Sequence, residues 1–100
     1  MSEFSTQSRP YAEAIFEIAN KDKALDDWSE NLVQVVEAMA DDSVKALINS
    51  PDLSQKKKTE VFNSLFEGEI LKKTASFIQV LGQANRLNLL PNIFEAFKSL

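Results

Sequence analysis

The chain has 100 residues, 44% of them hydrophobic and 26% charged, with a net charge of −4, no cysteine and no histidine. This is the profile of one small globular domain that buries a core without staples, and it excludes disulfides, thiolate metal sites and any imidazole-based mechanism. Ten acidic side chains against four basic fill residues 1–50, and five against seven fill residues 51–100, so there is no broad basic face for nucleic acid.

Two glycines and three prolines are the main breakers, and no stretch alternates with period two, so every element reads as helix. Pro10 suits a first helical turn, which predicts helix one over about Pro10 to Asn20, ended by "NKDK". Helix two spans roughly Ala24 to Ala40, with Leu25, Trp28, Leu32, Val35, Val36 and Met39 on one face and Asp26 and Asp27 near its positive end. "DDS" offers caps for a short helix over Val44 to Asn49, which Ser50-Pro51 ends. Ser54 caps a fourth helix reaching about Phe66, with Val61, Phe62, Leu65 and Phe66 inward. A fifth runs from about Glu69 to Asn85. "RLNLL" then leads to Pro91 and a sixth carrying Ile93, Phe94, Phe97 and Leu100. The expected fold is a compact all-α six-helix bundle in a single domain.

Two of these helices are too apolar for a single buried stripe. On a helical wheel Tyr11, Ala12, Ala14, Ile15, Phe16, Ile18 and Ala19 fill an arc of roughly 200°, against little over about 100° for an ordinary surface helix. Helix five repeats the pattern with Ile70, Leu71, Phe77, Ile78, Val80, Leu81, Gly82 and Ala84, opposite Lys72, Ser76, Gln79, Gln83 and Arg86. Either these are the central helices of the bundle, covered on most sides, or they lie side by side and leave an apolar groove for a partner's amphipathic helix. The wheels do not choose between the two.

Other candidates are weaker. The lysines of "QKKKTE" read as a solvated face rather than a phosphate site. Asp26, Asp27 and Glu30, or Asp41 with Asp42, lack the spacing of a calcium loop and read as caps. No nucleophile has a base beside it in the pattern, so no catalytic residue, cofactor or metal is expected. The N-terminus has no signal-peptide pattern and no apolar run approaches 18 residues, so no direct membrane insertion is expected either.

Two segments carry a family resemblance: "RPYAEAIFEIA" near the N-terminus and "FIQVLGQANRLNLLPNIFEAF" about sixty residues on. Arg9-Pro10-Tyr11-Ala12 with Ala14 and Phe16, then Asn85-Arg86-Leu87-Asn88 with Leu90-Pro91, are similar to the amino-terminal domain of the delta subunit of bacterial F-type ATP synthase. Its mitochondrial counterpart is the oligomycin-sensitivity-conferring protein. The resemblance covers essentially the whole chain.

It implies a six-helix bundle and a non-catalytic stator role in the peripheral stalk. There the domain grips the N-terminal amphipathic helix of one alpha subunit on a surface formed by helices one and five. The groove residues assigned on this basis are Tyr11, Ala14, Ile15 and Ile18 from helix one and Ser76, Phe77, Val80 and Ala84 from helix five. The opposite edges (Ala12, Phe16 and Ala19; Leu71 and Ile78) go to the core. Family members usually continue into a second domain that contacts the stalk b subunits, so a chain ending at Leu100 is expected to be an isolated, monomeric domain without that attachment. The implied location is cytoplasmic, peripheral to the inner membrane. The alternative is a helical adaptor from another system that uses the same groove for a different helix.

Overall fold

The structure is a computed structural model that describes residues 3–100, with side chains from residue 6 onward. Among these residues the chain forms α1 (Glu3–Lys21), α2 (Leu25–Ala38), α3 (Asp42–Ile48), α4 (Gln55–Ser64), α5 (Lys72–Gln83), a 3₁₀ turn (Leu87–Leu89) and α6 (Leu90–Lys98). This is the expected all-α six-helix bundle. None of these helices is long and apolar enough to cross a membrane.

Local chemistry accounts for most of the ends. The Asp41 carboxylate accepts the Ser43 amide at 2.8 Å and starts α3. The Ser54 hydroxyl accepts the Lys57 amide at 3.1 Å and starts α4. Each satisfies a donor that the first turn leaves free. Pro91 occupies the first turn of α6. Both α1 and α5 stop at a residue in the left-handed region, Lys23 (φ 56°) and Asn85 (φ 58°). In each case the next amide reaches back to close the helix: Ala24 to the Ala19 carbonyl and Arg86 to the Leu81 carbonyl, both at 2.8 Å. These are Schellman closures, and they give the last carbonyls a partner.

Several boundaries differ from the sequence expectation: α2 ends at Ala38 rather than Ala40, α3 starts at Asp42 rather than Val44, α5 ends at Gln83 rather than Asn85, and three others follow from packing or hydrogen bonding. α1 begins at Glu3 and carries Pro10 inside it. Proline's fixed φ is helical and it removes only one backbone bond; the completely buried Ser8 shows that this early turn packs on the bundle. α4 ends at Ser64 rather than Phe66, because the next amides tighten to contacts three residues back, Leu65 to Phe62 and Phe66 to Asn63. α5 begins at Lys72 rather than Glu69, because Asn31 of α2 captures the Leu71 amide at 2.9 Å. The lysine run differs too. Lys56 and Lys57 are exposed, but Lys58 is buried, so its stem covers apolar surface.

The most buried helix is α6, which lies along α1 and against α2. Leu90 and Ile93 are completely buried, in one core with Ala12 and Ala19 of α1, Leu32 and Val35 of α2, and Ile78 and Leu81 of α5. Phe16 meets Phe97 edge to face at 5.7 Å. On the far side α4 packs on α5. There a Cβ on Gly82 would stand 1.9 Å from the Thr59 hydroxyl oxygen, so only glycine permits the approach. Although α6 covers α1 and α4 covers α5, each of α1 and α5 keeps one exposed apolar edge, carrying Ile18 and Val80 respectively.

Candidate docking cleft between α1 and α5

The uncovered sides of α1 and α5 face a common cleft of about 330 Å³. Ile15 and Ile18 line it from α1, and Ser76, Phe77 and Val80 from α5. Ile18 and Val80, 41% and 53% exposed, stand together on this one cleft, and an exposed apolar patch says more than a single exposed aliphatic side chain. Ile15, three residues from Ile18, is only 2% exposed, so it forms the floor of the cleft and the edge of the core at once.

The other assigned residues sit around this centre. Ala14 and Ala84 are exposed but do not line the cleft. Tyr11 is half-buried and meets Phe77 edge to face at 6.2 Å. Polar contacts join the two helices at both ends. Arg86 Nη1 donates to Tyr11 Oη at 2.7 Å, and Lys73 Nζ pairs with Asp22. Tyr11 near the end of α5 and Asp22 near its start mean that the helices run antiparallel.

Two further lining residues were not assigned from sequence. Trp28 of α2 lies beneath, 1% exposed, with Phe77 against it edge to face at 6.2 Å. Its place on the apolar face of helix two was legible, but that it reaches the cleft was not. Lys73 supplies the polar margin with Ser76. A larger cleft of about 540 Å³ between α4 and α5 is lined by Gln55, Lys56, Thr59, Glu60, Asn63, Gln79 and Gln83. Such amide and charged groups are well served by water, so covering them yields little. The α1–α5 cleft is lined almost wholly by apolar surface, so a partner there has few polar groups to strip of water.

No three of the described His, Cys, Asp and Glu residues cluster in a way that could hold a metal ion. Chemically the cleft can bury apolar surface, with the Lys73 ammonium and the Ser76 hydroxyl as its polar lining groups.

A family model described as ATP synthase delta (OSCP) subunit matches residues 8–100. Three proteins named ATP synthase subunit delta align along nearly all of the chain. That of Marinobacter nauticus is 36% identical over 98 residues, 98% of this chain and 55% of its own length. That of Hahella chejuensis is 36% identical over 100 residues, 100% and 56% respectively. That of Teredinibacter turnerae is 39% identical over 98 residues, 98% and 55%. The chain spans about half the length of these curated relatives.

Proposed function

Because the chain belongs to the ATP synthase delta (OSCP) subunit family, we propose that it is a non-catalytic stator element whose α1–α5 cleft holds the N-terminal amphipathic helix of an alpha subunit. The observation that carries this reading is the pairing of Ile18 and Val80, aliphatic and strongly exposed on two antiparallel helices, over an apolar floor of Ile15, Phe77 and Trp28. A helix laid between them would bury its own apolar stripe on that floor. Tyr11, Ala14, Ser76 and Ala84 extend the contact along both helices, and the small ones let a third helix approach closely.

A stator joint resists the torque of a turning rotor, so it has to hold rather than react. A standard interface of roughly 800 Å² per partner suits that task, with a few central aromatic and aliphatic anchors supplying most of the energy. On this reading the domain is peripheral to the membrane that carries the complex, and attachment to the b subunits belongs to the part of full-length members outside these residues.

Calorimetric titration with a peptide of about the first 20 residues of an alpha subunit, some 30 Å of helix, tests the reading. One-to-one binding with a negative heat-capacity change is expected, the mark of apolar burial. Absence of heat and of any change in Trp28 emission at high micromolar peptide would overturn it.

A further inference from the structure

Arg86 belongs to the Asn85-Arg86-Leu87 segment, and it stands at the end of the cleft rather than in it. Asn85 turns the chain through the left-handed region, Leu87 anchors the far side in the core at 4% exposure, and the Arg86 amide is fixed to the Leu81 carbonyl at 2.8 Å. That closure sends the Arg86 side chain back across α5 to α1. There its Nη1 donates to Tyr11 Oη at 2.7 Å, and its guanidinium carbon stands 5.9 Å from the centre of the Tyr11 ring.

From Tyr11 the contact continues inward. The Tyr11 ring meets Phe77 at 6.2 Å and 60°, and Phe77 meets Trp28 at 6.2 Å and 63°. Phe77 and Trp28 both line the cleft. One unbroken series of polar and edge-to-face contacts therefore runs from an exposed arginine to the buried floor. Edge-to-face geometry is directional, so the orientation of each ring constrains the next.

We propose that Arg86 is a positioning residue for helix docking: by fixing the Tyr11 ring it holds Phe77 and Trp28 in the arrangement that receives the partner. The inference rests on the docking reading above. A half-buried tyrosine with a free hydroxyl is less constrained in its rotamer than one whose hydroxyl is bonded. The arginine removes that freedom before the partner arrives, and preordering a site raises affinity by lowering the ordering cost of binding. A guanidinium suits the role because its planar donors bond the hydroxyl while its face stays near the ring. The bond itself is exposed, so it contributes little to folding. Binding should therefore suffer more than stability.

The test uses this chain with Arg86→Ala, Arg86→Lys, Tyr11→Phe and the Arg86→Ala/Tyr11→Phe pair. Three quantities are measured: affinity for the alpha-subunit peptide, melting temperature, and the aromatic NMR shifts of Phe77 and Trp28 without peptide. Arg86→Ala and Tyr11→Phe are each expected to weaken binding about threefold to tenfold, and the pair no more than the worse single change, since both remove one coupled contact. Arg86→Lys is expected to recover part of the loss, the Phe77 and Trp28 shifts to move in the free chain, and melting to stay within about 3 °C. Unchanged affinity for Arg86→Ala would overturn the proposal. So would weakened affinity with unmoved ring shifts, because Arg86 would then touch the partner directly. No binding by the unsubstituted chain would instead remove the docking reading, and the shifts of the free chain would still report whether Arg86 orders the rings.

Discussion

Asn31 of α2 accepts two hydrogen bonds through one oxygen, from the Leu71 amide at 2.9 Å and from the Thr74 hydroxyl at 3.0 Å. Leu71 precedes α5 and has no side-chain cap of its own. A side chain forty residues away in sequence therefore fixes where α5 begins, and with it the height at which Phe77 and Val80 stand against α1.

Replacing Asn31 by Ala leaves the Leu71 amide and the completely buried Thr74 hydroxyl without that partner. The expected loss is about 2–3 kcal/mol, read as a lower urea midpoint at unchanged slope. A loss below about 0.5 kcal/mol would mean that water replaces the oxygen.

Gly82→Ala has an inverted sign here. In an exposed helix interior the change stabilises by roughly 0.5–1 kcal/mol. In α5 the new methyl would meet the Thr59 hydroxyl oxygen at 1.9 Å and its methyl carbon at 2.7 Å, so α4 must move, at about 1–3 kcal/mol. Adding Thr59→Ala removes the two closest atoms and should recover part of the loss, a coupling measurable in a double-mutant cycle.

Val80→Asp and Ile15→Asp separate cleft from core. Val80 is 53% exposed, so its aspartate stays hydrated; melting should shift by only a few degrees while peptide binding falls at least about tenfold. Ile15 is 2% exposed, and a buried carboxylate there should cost more than about 4 kcal/mol and abolish cooperative unfolding. Circular dichroism melts of the two variants decide this without any partner.

Asp41 gives a pH signature. Its carboxyl is held below its ordinary 3.8, first by the Ser43 hydroxyl and then by the Ser43 and Val44 amides, which bond the charged form. A group whose folded pKa is depressed contributes stability that is complete above the unfolded pKa and lost as pH falls through the folded one. The α3 cap should therefore weaken below about pH 4. Asp41→Asn keeps an acceptor oxygen at the cap and should flatten that part of the melting-versus-pH curve. An unchanged acid limb in Asp41→Asn would assign the loss to other carboxylates.

Much of this domain can be read in the sequence because helices are local. Period, breakers and caps depend on residues within a turn or two, which is why Ser54 and Pro91 mark their helix starts correctly and the "DDS" caps place the start of α3 within two residues. The wheels also expose the surplus apolar arcs of α1 and α5, with Ile15, Ile18, Phe77 and Val80 on them, whereas Ser76 lies on the polar side of its wheel and is assigned through the family resemblance. The two largest boundary errors are those decided at a distance or by packing: Pro10 accepted inside α1, and α5 started by Asn31.

What sequence by itself determined was helix content, the caps and the width of two apolar faces, all set by contacts a few residues apart. What only the tertiary structure decided was how those faces are divided. Ile15 and Ile18 are the same residue type one turn apart, and nothing local distinguishes 2% from 41% exposure. The packing of α6 on α1 and the reach of Trp28 beneath Phe77 make the difference. Burial is a property of neighbours brought together by the whole fold, and a helical wheel contains none of them.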